Sequence, residues 1–337
     1  MRAAVLRRPG EVAVEERPEP RPGPGQVAVQ VRSVGVCGSD THYYEHGRIG
    51  RFVVESPLVL GHEAAGEVIG LGAGVSRSAL GQRVSIEPGV PDFTCAQCLA
   101  GRYNLCPGMR FFATPPIDGA LAECVVVHEA FAHPVPDQIG DDAAALLEPL
   151  SVALWACRKG RVTAGSRVLV TGAGPIGLLG VQVALALGAT EVAVSDVNPE
   201  RLVLAQDLGA TEILDPREGG LTGLRRPPEV LLECSGHPPA VGEAIGVLDR
   251  AGRAVLVGMG GAEIPLPLAV VQERELEVMG TFRYANTWPT AIALAASGRV
   301  DLERLITGTY RLGQTAEALT AGRRDPQSVK TVVHPQT

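Results

Sequence analysis

The strongest constraint on how this chain folds is the run Val168-Leu-Val-Thr-Gly172-Ala-Gly174-Pro-Ile-Gly177. Its three glycines are spaced G-x-G-x-x-G at the joint between a strand pattern and a helix pattern. From Arg167 onward the two patterns keep alternating: Val168 to Val170, a helix from Pro175, Val192 to Asp196, a helix from Pro199, Val230 to Cys234, and Ala254 to Gly258. Such alternation predicts an α/β fold, a doubly wound parallel sheet wrapped by helices. At the first strand-to-helix joint of such a sheet, glycines let the backbone approach a pyrophosphate, and the free N–H groups of the helix N-terminus stabilise it.

Asp196 ends the next strand, 19 residues beyond Gly177. A carboxylate there accepts hydrogen bonds from the adenosine ribose hydroxyls and repels a 2′-phosphate, so the expected cofactor is NAD rather than NADP. Arg201 is the competing feature, either a cation for a 2′-phosphate or a solvated helix charge. Gly172, Gly174, Ile176, Gly177, Asp196 and Arg201 are therefore the candidate cofactor contacts, joined by Val257, Gly258 and Met259 at the end of a later strand and by Phe282 and Arg283.

Residues 1 to about 150 read differently. Short alternating segments such as Val27 to Val31 and Glu67 to Leu71, separated by Gly- and Pro-rich turns, predict an irregular β domain. The Pro-rich stretch Arg17 to Gly25 is flanked closely by strand patterns and is expected to be a constrained loop. With 337 residues and roughly 150 per domain, two cores are expected. A helix from Leu150 to Arg158 opens the second, with Pro149 in its first turn. After about Ala285 there remain one amphipathic helix, Pro289 to Ala296, and a tail too short for a third core, which is expected to return to the first. The expected division is 1–149 with 286–337, and 150–285.

The net charge of −7 disfavours nucleic acid as a partner. The longest apolar run, Ile176 to Ala189, contains Gln182 and three glycines and falls short of the roughly 20 residues that span a bilayer. Arg7 and Arg8 interrupt the first residues before a secretory apolar segment forms, so no signal peptide is expected and the predicted location is cytoplasmic.

Seven cysteines, an odd number in a chain of this kind, point to metal ligation rather than a disulfide framework. Asp92-x2-Cys95-x2-Cys98-x7-Cys106 has the compact spacing of a tetrahedral structural zinc site, with Asp92 the harder ligand. A second set is dispersed: Cys37 in Gly35-Val-Cys-Gly-Ser-Asp40, the pair His62-Glu63, and Glu148 in Leu146-Leu-Glu-Pro-Leu150. Spacing alone does not assemble it. Singly, Cys37 also reads as a small buried hydrophobe, His62 as a hydrogen-bonded core histidine and Glu63 as a surface charge. Glu148 interrupts the apolar stretch Ala143 to Ala156, where a buried carboxylate needs a cation or strong donors. The only lysines, Lys159 and Lys330, sit in no context that suggests Schiff-base chemistry.

Several of these segments carry a resemblance: Cys-Gly-Ser-Asp-x-His-Tyr, Gly-His-Glu-Ala-x-Gly, the cysteine lobe followed by Gly-Arg-Tyr-Asn-Leu, Phe111-Phe-Ala-Thr-Pro-Pro116, Glu-Pro-Leu-Ser, and Phe282-Arg-Tyr-Ala-Asn-Thr-Trp-Pro289. Together they resemble the zinc-dependent medium-chain dehydrogenases over essentially the whole chain, and most closely the sorbitol (polyol) dehydrogenase branch. The resemblance implies a GroES-like β-rich catalytic domain made of both chain ends, with a Rossmann domain inserted between. It implies a catalytic zinc on Cys37, His62 and Glu63, with Glu148 as an alternate ligand or as the residue orienting a zinc-bound water. Ser39 and His42 match the family's proton relay, and Tyr43, Phe111, Arg283 and Tyr284 its substrate and cofactor pocket. Asp92 stands where the family's lobe usually has its first cysteine. The implied reaction passes a hydride from a secondary alcohol of a polyol to NAD, in a homotetramer. Two other readings remain open at this level. One is an L-threonine 3-dehydrogenase or other secondary-alcohol dehydrogenase on the same scaffold, with Arg283 as a carboxylate-binding cation. The other is a catalytically silent NAD-binding redox sensor, a fold kept without its chemistry.

Overall fold

The computed structural model describes residues 1–261 and 263–337. Contacts divide them into two compact units, Met1–Glu148 with Leu302–Thr337, and Pro149–Asp301.

The first unit is built on a seven-stranded sheet in the order Ala132–Pro134, Arg83–Ile86, Glu63–Leu71, Gln26–Gly35, Lys330–His334, Ile306–Arg311, with Cys124–His128 also pairing Gln26–Gly35. Gln26–Gly35 is buried along most of its length, which suits its run of valines: β-branched side chains pack well on a covered pleated surface. Glu67 to Leu71 is the outer end of a longer strand that enters buried at Glu63 and leaves exposed at Leu71. Two antiparallel registers set up the chemistry. Gly35 faces Glu63 on one side, and Val332 faces Gly35 on the other, so a residue from the last strand comes within two positions of the Cys37 segment. The Pro-rich stretch 17–25 carries no regular element but is fastened at both ends. Arg17 and Met1 exchange backbone hydrogen bonds, and Gly25 donates to the Ala73 carbonyl at 2.8 Å.

The second unit holds a six-stranded, wholly parallel sheet in the order Glu212–Leu214, Glu191–Ser195, Arg167–Thr171, Val230–Glu233, Arg253–Leu256, Glu277–Gly280. The chain starts in the middle, winds out to one edge, then returns to build the other. The strand order therefore reverses between Arg167–Thr171 and Val230–Glu233, where a ligand crevice opens beyond the carboxyl ends of the strands. The helix Pro175–Ala186 is apolar nearly all round and buried over most of its length, as a helix sandwiched against a sheet requires. Pro199 opens the next helix, and the Asn198 side chain caps it by accepting from the Glu200 and Arg201 N–H groups. The helix expected from Leu150 starts earlier, at Leu147, with Glu148 in its first turn and Arg158 and Lys159 in its last, the charge order that complements the helix dipole.

The segment 286–301, assigned from sequence to the first domain, groups with this second unit. Arg158 donates to the Asn286 carbonyl at 2.8 Å and to Thr290 Oγ1 at 2.9 Å, Trp288 is fully buried, and Gln182 grips the Asp301 backbone through both ends of its amide. Those anchors, which lie far away in sequence, outweigh the helix's position after the last strand.

Candidate functional site

The first unit gathers Cys37, His62 and Glu63, whose donor atoms all lie within 4.8 Å of one another. Strand pairing explains the assembly. Cys37 follows the inner end of Gln26–Gly35 and caps the helix Gly38–His46, while Glu63 opens the strand hydrogen-bonded beside it. One sulfur, one imidazole nitrogen and one carboxylate oxygen are donors that zinc accepts, and three protein ligands leave a fourth position for water or substrate, the pattern of a catalytic zinc site. The residues therefore fit the metal. His62 and Glu63 are buried and Cys37 is partly so, which removes the surface reading of Glu63. Glu148 is buried as well and contributes charge to the same region, but it stands outside the group of three.

Two residues that the sequence reading passed over complete this site. Asp40, fully buried, ties Cys37 to His62 and to the residue before it. Its Oδ2 accepts from the Cys37 N–H at 3.0 Å, its Oδ1 accepts from the Gly61 N–H at 3.0 Å, and His62 Nδ1 lies 3.5 Å from Oδ1. A carboxylate behind the far nitrogen of a ligating histidine fixes the ring's orientation and tautomer. The signal was its place as the third helical residue after Cys37, where an acidic side chain turns back to the cap N–H. Burial works against charge on both members of the pair. The mutual attraction wins, holding the Asp40 carboxyl below its usual range and, with the Cys37 charge added, His62 well above the usual imidazole range. An Asp40→Asn variant is expected to lose about 10- to 100-fold in zinc affinity with its fold intact, read by metal retained against a competing chelator; unchanged retention would remove Asp40 from the site.

The second is Lys330. Its ammonium is 3% exposed and meets both oxygens of Glu63, donating to Oε1 at 2.6 Å with Oε2 at 2.5 Å, and it also donates to the Val36 carbonyl at 2.8 Å. Burial disfavours the ammonium, but the charges of Glu63, Cys37 and Glu148 and the hydrogen bond to Glu63 hold it above the ordinary lysine range. Breaking a buried pair of this kind costs about 3–5 kcal/mol, since one charge is left uncompensated. No local pattern around Lys330 announces this role; it is set by long-range strand pairing.

Asp92, Cys95, Cys98 and Cys106 also come together, their donor atoms within 4.8 Å of one another. Cys95 and Cys98 sulfurs are 3.4 Å apart, and the Cys98 sulfur is 3.4 Å from Asp92 Oδ1. That oxygen also accepts from the Thr94 and Cys95 N–H groups, which keep the carboxyl well below its usual range. Donated N–H groups lower the Cys95 thiol as well, while desolvation and the neighbouring thiols push Cys98 up to about 12. Four donors sharing protons in this way fit a tetrahedral metal, with Asp92 also serving as the turn that shapes the loop.

The second unit supplies the dinucleotide features. A crevice of about 560 Å³ at the switch point is lined by Gly172, Gly174, Asp196, Arg201, Arg217 and Cys234 among others. Gly177 is fixed by close approach: a Cβ there would stand 1.9 Å from the Gly172 carbonyl oxygen. Asp196 braces the glycine turn, accepting from the Ala173 N–H at 2.6 Å and the Asn198 N–H at 2.7 Å. Each carboxylate oxygen keeps a lone pair for a ribose hydroxyl. Arg201 is half-buried and lines the crevice. Val257 and Gly258 both donate to the Glu233 carbonyl, and Met259 next to them is exposed.

The remaining sequence candidates separate. Phe111 is buried, its ring 5.7 Å from that of His62, at the metal site. Ser39 is half-buried in the first turn after Cys37, and exposed His42 meets the His46 ring at 4.6 Å. Tyr43 is buried in the hydrophobic core of the first unit. Arg283 stacks 4.8 Å over the exposed Phe282 ring, whereas Tyr284 is buried 5.3 Å from Trp288.

Residues 23–137 match the family described as alcohol dehydrogenase GroES-like domain, and residues 175–297 the family described as zinc-binding dehydrogenase. Among curated relatives, sorbitol dehydrogenase of Gallus gallus is 43% identical over 332 residues, 96% of this chain and 93% of the relative. Sorbitol dehydrogenase of Bacillus subtilis (strain 168) is 40% identical over 343 residues, 99% and 97% of the two chains. Among solved structures, an alcohol dehydrogenase from Escherichia coli CFT073 complexed with NADH superposes with a TM-score of 0.92 at 29% identity, covering 99% of both chains. With the GroES-like and Rossmann units, the gathered zinc donors and near-complete coverage by such relatives, the chain belongs to the zinc-dependent medium-chain dehydrogenases, in their sorbitol dehydrogenase branch.

Proposed function

We propose that the protein is an NAD-dependent zinc polyol dehydrogenase that oxidises a secondary hydroxyl of a sorbitol- or xylitol-like substrate to a ketose. The observation that carries the reading is the convergence of Cys37, His62 and Glu63 in a chain of this branch. Those three residues hold the catalytic zinc, and Glu148 orients a water beside it or replaces one ligand. The lobe of Asp92, Cys95, Cys98 and Cys106 holds a structural zinc. When bound, the catalytic metal supplies a Lewis acid that eases removal of a hydroxyl proton, an effect worth roughly 12 kcal/mol for water against roughly 3–6 for a positioned base.

The chain's own groups do the rest. Ser39 would take the hydroxyl proton and exposed His42 would release it to solvent. Phe111 walls the metal site and excludes water; Tyr43, Arg283 and Tyr284 are proposed as substrate contacts on the family resemblance, Arg283 alternatively to nicotinamide. Gly172, Gly174, Ile176 and Gly177 receive the pyrophosphate, Asp196 and Arg201 the adenosine ribose, and Val257, Gly258, Met259 and Phe282 the nicotinamide end. Catalysis is assigned to the β-rich unit and cofactor binding to the parallel-sheet unit. Among the described residues no helix is long and apolar enough to cross a membrane; the proposed setting is the cytoplasm and the proposed assembly a homotetramer, which light scattering measures directly.

Rates of NAD reduction with sorbitol, xylitol, ribitol and threonine, repeated after chelation, test the reading. Polyols are expected to react at least about ten times faster than threonine, with all activity lost to the chelator. Comparable rates on all four substrates would defeat the polyol assignment, and chelator-resistant turnover the metal assignment.

A further inference from the structure

We infer that Lys330 is a resident counter-ion of the metal site: it holds Glu63 while no metal is bound and competes with the metal for that carboxylate. The inference rests on the metal reading above. Three neighbouring strands build the arrangement. Gly35 lies between Glu63 on one side and the strand of Lys330 on the other, and it must lack a side chain, since a Cβ there would stand 2.1 Å from Glu63 Oε2. The gap lets the carboxylate lean across toward Lys330 Nζ, which lies within 2.6 Å of both oxygens. The same ammonium binds the carbonyl of Val36, the residue before Cys37, so one cation fastens both donor-bearing segments.

Both partners are buried, Lys330 at 3% and Glu63 at 1% exposed, so water cannot take over either charge when the pair opens. A metal drawing on Glu63 must therefore do so against an ammonium already seated on it, and two cations on one carboxylate repel each other in a medium of low dielectric. With Lys330 removed, the buried carboxylate has the metal as its natural cation and binds it more tightly.

The test uses the full chain, stripped of metal and titrated with zinc against a chromogenic chelator. The step absent from Cys37→Ser is the one belonging to this site rather than to the cysteine lobe. Lys330→Met is expected to bind that zinc at least about tenfold more tightly than the parent and to gain more in Tm on adding zinc, while Lys330→Arg, which keeps a cation, stays close to the parent. Should Lys330→Met fold only when zinc is supplied, the metal has replaced the missing cation, the limiting form of the expected result. Equal or weaker zinc binding by Lys330→Met overturns the inference, as does a variant that fails to fold even with zinc. Absence of any Cys37-dependent zinc step in the parent would remove the metal site itself, a different and separately visible outcome.

Discussion

A Cys37→Ser enzyme is expected to lose at least about 10³-fold in kcat/KM on its polyol, to carry one zinc fewer per chain, and to bind NADH within about twofold of the parent. The fold has little reason to change. Cys37 caps the helix Gly38–His46 with extended backbone angles and its N–H held by Asp40, and serine is nearly isosteric and a favoured cap. What disappears is the one soft donor of the site, leaving an imidazole and a carboxylate that is already shared with Lys330. A 10³-fold loss corresponds to about 4 kcal/mol, a third of what the metal offers the hydroxyl, so the figure is a lower bound. Metal content by mass spectrometry, NADH fluorescence and steady-state rates read the three outcomes. Turnover near the parent's would sink the assignment of Cys37.

Gly177→Ala is expected to produce the mirror image: zinc retained in full at Cys37, NADH affinity lower by at least about 100-fold, near 2.7 kcal/mol. The added methyl would stand 1.9 Å from the Gly172 carbonyl oxygen and 3.2 Å from Val170 Cγ1. Since the first of these is backbone, the glycine turn itself must open, and with it the N–H groups that face the pyrophosphate. Asp196 makes the turn stiff by accepting from the Ala173 N–H, so the strain cannot be absorbed locally. An alanine enzyme that bound NADH normally would show that Gly177 serves packing alone. Taken together the two variants separate metal from cofactor, each weakening the binding of one and sparing the other.

Much of this was legible beforehand where chemistry is local. The glycine turn, Asp196 and the Cys95-x2-Cys98-x7-Cys106 lobe are short-range patterns whose geometry follows from a few bonds. The parallel sheet followed from its alternation, because strands and helices impose different hydrophobic periods. The catalytic donors were a set of single residues until antiparallel pairing placed Glu63 beside Gly35, and only the family resemblance joined them in advance. Lys330 lies 267 residues from Glu63, and no periodicity spans such a gap. The segment 286–301 was misplaced for the same reason: the groups that hold it, Arg158 and Gln182, lie over a hundred residues upstream.

The composition of the first unit from two distant stretches also sets an order on how the protein can be made. Residues 149–301 form an unbroken segment that can close as soon as it leaves the ribosome, while the strand Ile306–Arg311 and its neighbour Lys330–His334 are translated only after it. Until then the nascent Glu63 has no partner ammonium and the Val34–Gly35 end of Gln26–Gly35 lacks its neighbour on one side. The unit begun by Met1–Glu148 must therefore wait, unfinished and exposed to misassembly, for Leu302–Thr337 to arrive.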